Sequence, residues 1–157
     1  MRVITGSARG RRLRELEGLE TRPTTGKVKE ALFSVIQFDI EGRRVLDLFA
    51  GTGQLGIEAL SRGAESAVFV ERRKDALQAV RENLEACGLS DRARVVNGDA
   101  MSYLKSGEKF DLIFLLDNKI SRPDMVTARE YPVDISFFCA SGLPLASQKD
   151  ITLEQLL

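Results

Sequence analysis

The pattern of apolar and polar positions changes repeatedly after residue 43 and predicts strands alternating with helices. Four short apolar runs predict strands: "RRVLDLFA", "SAVFVE", "ARVVNGD" and "FDLIFLL". The segments between them, "GQLGIEALSR", "KDALQAVRENLEACG" and "AMSYLKS", have helical periodicity or composition, and Gly63 and Gly88 are typical helix-ending residues. The order β-α-β-α-β-α-β predicts an α/β fold with a parallel sheet, helices on both faces and right-handed crossovers.

A further helix is predicted before this core, within "TRPTTGKVKEALFSVIQF". Thr24 or Thr25 is a suitable N-cap. The apolar residues of this helix recur at helical spacing: Val28, Ala31, Leu32, Val35 and Ile36. The run "MRVITG" favours a strand, and "ARGRR" favours a turn at Gly10. We therefore expect a small β/α extension ahead of the sheet.

The pattern weakens after Leu116. The stretch "DNKISRPDMVTAREYPVD" predicts a loop, "ISFFCA" a strand, and "ITLEQLL" the start of a helix. We expect one domain over 1–157, made of an N-terminal basic extension and helix (1–42), a βα core (43–116) and a divergent or truncated C-terminal segment (117–157).

Composition limits the possible classes of protein. The chain has 157 residues, 43% of them hydrophobic and 29% charged, which is typical of one globular domain. It has no apolar run of about 18 residues and no apolar signal segment at its start, which predicts a cytoplasmic protein with no membrane partner. It contains no histidine, and its two cysteines lack metal-site spacing, so we expect no metal and no histidine-based nucleophile.

Charge is unevenly distributed along the chain. Residues 1–29 hold eight Lys or Arg against three Glu, a net charge of +5, and the remainder carries −5 because the total is zero. A basic arm of this kind suits a polyanionic partner, although a solvated surface of arginines is an equal alternative.

The most informative stretch is "VLDLFAGTGQLGIEAL", in which Gly51, Gly53 and Gly56 form G-x-G-x-x-G. Glu71 follows Gly51 by 20 residues, where a dinucleotide-binding site has an acid for a ribose hydroxyl. Asp47, however, lies directly before the loop. A carboxylate there repels a diphosphate but suits the positive end of S-adenosyl-L-methionine, which has no phosphate.

The ammonium, ribose and adenine groups of S-adenosyl-L-methionine each have a complementary residue in this sequence. Asp47 suits the methionine ammonium, and Gly51 and Gly53 allow close backbone approach. Glu71 can accept from both ribose hydroxyls, and Asp99, with the Ala100 backbone nearby, can accept from the adenine amino group. A purely structural role is the weaker interpretation of Asp47 and Asp99, because an uncompensated carboxylate at a strand end is costly without a ligand. Gly56, in contrast, has a purely structural alternative as a helix–sheet contact.

The ordered motifs "VLDLFAGTGQLGIEALSRGA", "VFVE" and "NGDA" resemble those of class I methyltransferases with a Rossmann-like fold. The opening "MRVITGSARGRRL" and "TRPTTGKVKEALFSVI" resemble one family among these, the bacterial small-subunit (16S) ribosomal RNA guanine-N2 methyltransferases, over about residues 1–115. The resemblance implies a site for S-adenosyl-L-methionine formed by Asp47, Phe49, Gly51, Gly53, Glu71 and Asp99. It also implies a pocket mouth at Arg22, Pro23 and Thr24, and RNA phosphate contacts from Arg9, Arg11 and Arg12. The implied partner is ribosomal RNA or an assembling small subunit, and we expect a monomer.

The resemblance ends at the position where that family carries D/N-P-P-Y/F after the fourth strand. There, a side-chain carbonyl and a proline carbonyl accept the hydrogens of the guanine amine, and the aromatic ring stacks on the extruded base. This chain instead reads "DLIFLLDNKI", with Leu116 at the acidic position and with Asp117 and Asn118 one residue late. We therefore expect impaired catalysis, and no catalytic residue is assigned.

Several explanations and functions remain open at this level. The last segment is explained by a shifted reading frame, an altered or chimeric chain, or a genuinely divergent protein, and the abruptness of the break favours the first two. The alternatives to an impaired RNA methyltransferase are a non-catalytic module that binds cofactor or RNA, a dinucleotide-dependent oxidoreductase and a metabolite methyltransferase.

Overall fold

The computed structural model describes residues 1–16 and 26–115 with their side chains, together with the backbone of two further strands at 125–131 and 135–140. It contains one six-stranded sheet in the order β3-β2-β1-β4-β6-β5. The strands are β1 (Arg44–Leu48), β2 (Ser66–Glu71), β3 (Ala93–Asn97), β4 (Leu112–Leu115), β5 (Met125–Tyr131) and β6 (Ile135–Ala140). The helices are α1 (Gly26–Val35), α2 (Gln54–Ser61), α3 (Lys74–Cys87) and α4 (Ala100–Leu104), with a short 3-10 turn at Ser90–Arg92.

The first four strands are parallel, as the sequence predicts. β1 pairs in parallel with both β2 and β4, and β2 pairs in parallel with β3. In this register Leu48 pairs with Val70, and Glu71 pairs with Asn97. The loops that follow β1, β2 and β3 therefore leave the sheet at one edge, where open α/β sheets bind ligands.

Alternate residues of each central strand enter two apolar clusters on opposite faces. Val45, Phe69 and Phe114 belong to the larger cluster, with residues of α1, α2 and α3. Leu46 and Ile113 belong to the smaller one, with residues of α4. Both faces of the strands are covered, which explains why these runs are apolar throughout.

The sheet departs from the prediction at its far side. β6 runs antiparallel to β4, and β5 runs antiparallel to β6, so the complete sheet is mixed. The strand predicted at "ISFFCA" is confirmed, but the loop predicted for 117–134 is wrong over Met125–Tyr131, which form β5. The pairing register shifts between Thr127 and Arg129, and such an irregularity interrupts the alternation by which a strand is recognised.

Two further predictions concern residues that the structure does not describe. The N-cap at Thr24 or Thr25 and the helix at "ITLEQLL" lie outside the described residues, although α1 itself is present from Gly26. Within the part of the chain that is described, no helix combines the length and apolar character that crossing a membrane requires.

Residues 1–14 form a compact hairpin against α2. Arg2 and Arg12 form an antiparallel bridge, and the chain turns at Gly10, whose φ is +82°. Val3 and Leu13 point into the larger apolar cluster. The hairpin is therefore part of the folded core rather than a loose arm.

A buried ion pair fastens this hairpin to the helices. The Glu58 carboxylate lies 3.0 Å from the Lys29 ammonium, and both side chains are completely buried. Glu58 also accepts hydrogen bonds from the Ile4 and Thr5 amides at 2.9 and 3.0 Å and from Arg62 Nε at 3.0 Å. One carboxylate thus joins the hairpin, α1 and α2.

Replacing Lys29 by Met should destabilise the protein by about 3 kcal/mol or more, because a buried carboxylate then loses its completely buried cationic partner. Urea unfolding followed by circular dichroism measures the difference. Lys27→Met is the matched control, since Lys27 is exposed on the same helix. Equal stability of the two variants would contradict this account of the ion pair.

Candidate functional site: the glycine loop and three strand-end carboxylates

The candidate site lies where β1, β2 and β3 end. Asp47 is the penultimate residue of β1, Glu71 is the last residue of β2, and Asp99 follows β3 by two residues. The glycine loop connects β1 to α2 between the first two of these acids. The parallel order of the strands therefore brings the three predicted acids to one edge of the sheet.

Asp47 is buried, with 3% of its surface exposed, and it lies on the α2 side of β1. Its Oδ2 accepts a hydrogen bond of 2.9 Å from the Gly56 amide in the first turn of α2. The N-cap residue Gly53 has no side chain that could accept a hydrogen bond from the first turn of α2. Asp47 on β1 therefore takes the place of an N-cap side chain by accepting from the Gly56 amide. Burial raises the pKa of Asp47 to about 7, the Gly56 amide opposes this shift, and the charge of Glu71 adds to it.

Glu71 holds the glycine loop from the other side. Its Oε2 accepts a hydrogen bond of 3.0 Å from the Gly51 amide. Its Oε1 accepts from the Arg72 and Arg73 amides at 2.8 and 2.9 Å. Both carboxylate oxygens are therefore engaged by backbone, and the loop is tied to the end of β2.

Asp99 is the N-cap of α4. Its Oδ1 accepts a hydrogen bond of 2.8 Å from the Ser102 amide, which lowers the pKa of the Asp99 carboxyl. Ala100, the next residue, is buried in the smaller apolar cluster. Backbone amides of two helix starts therefore compensate both Asp47 and Asp99 without a ligand, which gives each acid a structural role that the sequence interpretation weighted too low.

The three glycines of the loop serve different purposes. Gly51 has a φ of +55°, and a Cβ there would meet nothing closer than the Phe49 carbonyl at 4.0 Å, so the backbone is open to a ligand. Gly53 has a φ of +80°, and a Cβ there would lie 3.3 Å from the side chain of Val80 on α3. At Gly56 a Cβ would lie 2.3 Å from the Phe69 ring, so this glycine allows α2 to pack on the sheet.

Two exposed apolar side chains flank the site. Phe49 directly follows β1, adopts a φ of +60° that is unusual for a residue with a side chain, and is 41% exposed. Met101 in α4 is 50% exposed. A strained backbone and uncovered apolar surface beside a cluster of acids are typical of a binding site.

The arrangement fits a cationic ligand rather than a diphosphate. The Gly51 and Gly56 amides, which a diphosphate would use at a helix start, already bind Glu71 and Asp47. The same two carboxylates would repel its charge. A ligand with an ammonium group, hydroxyl groups and an amino group meets acceptors at all three strand ends, as S-adenosyl-L-methionine would.

The predicted RNA-contacting arginines lie on the N-terminal hairpin. Arg9, Arg11 and Arg12 are all exposed there. Arg22 and Thr24, predicted at the pocket mouth, lie outside the described residues, as does the segment from Leu116 to Asn118. Among the residues that are described, no group of three or more His, Cys, Asp or Glu is placed to hold a metal ion.

Sequence reasoning missed one polar residue next to the loop. Asn83 on α3 is buried, and it donates a hydrogen bond of 2.9 Å to the Thr52 carbonyl. The sequence carries a weak signal for it, since Asn83 follows Val80 by three residues on the apolar face of an otherwise charged helix.

Comparison with known proteins bears directly on this site. A family model described as "Conserved hypothetical protein 95" matches residues 1–117, three quarters of the chain. The chain belongs to this family. The matched region contains the hairpin, the glycine loop and all three strand-end acids.

Curated relatives carry methyltransferase names. Ribosomal RNA small subunit methyltransferase D of Escherichia coli is 40% identical over 116 residues, which cover 73% of this chain and 58% of the relative. YlbH of Bacillus subtilis is 50% identical over 109 residues, covering 69% of this chain and 59% of the relative. The chain thus spans about three fifths of the length of these relatives. The resemblance to the small-subunit ribosomal RNA methyltransferases is confirmed.

Solved structures show the same fold. The Escherichia coli protein yhhF matches with a TM-score of 0.66 and 36% identity, over 78% of this chain and 66% of that one. A SAM-dependent methyltransferase from Thiobacillus denitrificans, solved with S-adenosyl-L-homocysteine, matches with a TM-score of 0.51 and 25% identity, over 59% of this chain and 36% of that one. The predicted Rossmann-like class I methyltransferase fold is confirmed.

Replacing Asp47 by Asn should make the free protein more stable above pH 7. The unfolded carboxyl ionises near pH 3.8 and the folded one near 7, so the native protein loses stability as pH rises across this interval. The full cost is about 4 kcal/mol. Asn keeps an oxygen for the Gly56 amide and removes the ionisation.

Urea unfolding at pH 5 and pH 8 tests this expectation. The stability difference between the two pH values should shrink in Asp47→Asn. Asp91→Asn, at an exposed position, controls for the loss of one negative charge. An unchanged pH dependence in Asp47→Asn would show that another group carries it.

Proposed function

We propose that the chain binds S-adenosyl-L-methionine at the glycine loop and is directed at guanine N2 of small-subunit ribosomal RNA, as a cytoplasmic monomer with impaired methyl transfer. The observation that carries the proposal is the convergence of Asp47, Glu71 and Asp99 around a glycine loop open at Gly51. The names of the curated relatives support the ribosomal RNA substrate.

The bound donor would supply a methyl group on a sulfonium. Asp47 would hold the methionine ammonium, Glu71 the ribose hydroxyls, and Asp99 with the Ala100 backbone the adenine edge. Phe49, exposed next to the loop, would cover the apolar part of the ligand. These residues bind and orient the donor, and none of them needs to exchange a proton during transfer.

Presentation of the acceptor is the weak step of this chain. The guanine amine is a poor nucleophile that needs two hydrogen-bond acceptors and a stacking ring after β4. The sequence there is Leu116, Asp117, Asn118 and Lys119, with neither a Pro-Pro pair nor an adjacent aromatic residue. Lys119 would also bring positive charge toward the sulfonium.

The N-terminal hairpin carries the residues that would contact RNA. Arg9, Arg11 and Arg12 are exposed there, and none of the three forms an ion pair with another described residue. Free guanidinium groups on a folded platform suit phosphate contacts, which confer affinity without sequence discrimination.

A dinucleotide-dependent oxidoreductase is the alternative that the G-x-G-x-x-G spacing favours. Asp47→Asn separates the two functions. Weaker binding of S-adenosyl-L-homocysteine in the variant, measured by calorimetry, supports the proposal, whereas improved binding of NAD supports the alternative.

Methyl transfer from labelled donor to unmethylated small-subunit RNA should be near background, while S-adenosyl-L-homocysteine binds. Converting Leu116 to Asp, Asp117 to Pro and Asn118 to Pro should restore part of the transfer. Because the triple change leaves the glycine loop intact, donor affinity serves as its control. Robust turnover by the unaltered chain would refute the impairment, and no binding of S-adenosyl-L-homocysteine would refute the cofactor assignment.

Reversing the charge of the hairpin should weaken binding of small-subunit RNA by at least about tenfold at low salt and flatten its salt dependence. The variant is Arg9→Glu, Arg11→Glu and Arg12→Glu, measured by filter binding across a salt series. The matched control reverses three exposed cations elsewhere: Arg81, Lys105 and Lys109. Equal losses in both triples would indicate general charge attraction, and no loss in the hairpin triple would favour a small-molecule substrate.

A further inference from the structure

Asn83 connects two segments that are far apart in the sequence. Its Oδ1 accepts a hydrogen bond of 2.6 Å from the Arg14 amide. Its Nδ2 donates to the Arg14 carbonyl at 3.2 Å and to the Thr52 carbonyl at 2.9 Å. One buried side-chain amide is therefore shared between the end of the N-terminal hairpin and the middle of the glycine loop.

Both connected positions belong to functional segments. Thr52 lies between Gly51 and Gly53, so its carbonyl moves with the loop backbone. Arg14 ends the hairpin that carries the three exposed arginines, and its guanidinium also pairs with Glu82 on α3. Gly53 packs on Val80, one turn before Asn83, so α3 supports the loop directly.

We propose that Asn83 is a positioning residue that couples ligand binding at the glycine loop to docking of the basic N-terminal hairpin. The inference rests on the proposed function only in taking the loop as the donor site and the hairpin as the RNA arm.

The coupling follows from the geometry of a planar amide. If the loop shifts, the Thr52 carbonyl moves, and Asn83 must either lose that acceptor or rotate and weaken both bonds to Arg14. In a buried site either change leaves a polar group unsatisfied, which is costly. A ligand that fixes the loop therefore also fixes the end of the hairpin, and by thermodynamic linkage the reverse holds equally.

The hairpin has a second anchor that serves as an internal control. Ser61 Oγ accepts a hydrogen bond of 3.0 Å from the Ala8 amide and donates to the Thr5 carbonyl at 2.6 Å. Ser61 is the last residue of α2, at the opposite end of that helix from the glycine loop. It holds the same hairpin without touching the loop.

Amide hydrogen exchange in the unaltered chain tests the coupling. Saturating S-adenosyl-L-homocysteine should slow exchange at the Arg14 amide by about fivefold or more, and the Ala8 amide should change much less. Equal changes at both amides, or no change at Arg14 while the ligand binds, would overturn the proposal.

A pair of variants provides the second test. Asn83→Ala should weaken binding of S-adenosyl-L-homocysteine by about fivefold or more, whereas Ser61→Ala, which alters a hairpin contact without touching the loop, should weaken it clearly less. Equal affinities in the two variants would overturn the coupling and leave the cofactor assignment standing. Failure of the unaltered chain to bind the ligand would overturn both. The hydrogen-exchange comparison uses the unaltered chain, so it tests the coupling even if Asn83→Ala does not fold.

Discussion

The structure depends most on the buried carboxylate of Glu58. Four groups from three segments converge on it: the Ile4 and Thr5 amides, the Lys29 ammonium and the Arg62 guanidinium. Burial lowers the pKa of Lys29, and the negative charge of Glu58 opposes that shift. Each ion alone would be costly in this interior, so the pair specifies one arrangement of hairpin, α1 and α2. Because α2 begins at the glycine loop, the same carboxylate also fixes the base on which the candidate site is built.

The candidate site repeats this arrangement, in which backbone amides satisfy a carboxylate. Asp47, Glu71 and Asp99 each accept a hydrogen bond from a backbone amide, at Gly56, Gly51 and Ser102. A carboxylate therefore has a structural role at each strand end in addition to its proposed role toward a ligand. This double use explains why acids can sit at three neighbouring strand ends without disrupting the fold. It also means that substitutions there change loop geometry as well as charge, so isosteric amides are the informative replacements.

The sequence predicts most of the central fold because local signals agree there. The strands β1 to β4 are apolar runs, and α3 ends at Gly88, which adopts the left-handed conformation expected of a helix-ending glycine. β5 was missed because the register shift near Thr127 disrupts the alternating pattern. The partners of Asp47 and Asn83 were missed for a different reason: the path of the loop between Asp47 and Gly56 and the packing of α3 on the hairpin bring the partners close, and neither can be predicted from local pattern. Long-range hydrogen bonds to backbone leave no periodic signal in the residues that make them.

The hydrogen bonds of the loop also bear on the kind of ligand that would suit it. In a dinucleotide site the amides of the glycine loop point toward phosphate, and the loop presents donors. Here the Gly51 and Gly56 amides are bound by Glu71 and Asp47, so the protein itself supplies the anions that a diphosphate would otherwise supply. The loop edge consequently offers the partly exposed Glu71 carboxylate, the exposed Asp99 carboxylate and an open glycine backbone, whereas Asp47 is buried. These groups favour a ligand rich in hydrogen-bond donors and positive charge. The same G-x-G-x-x-G spacing therefore supports opposite ligand charges, and the acids around it decide between them.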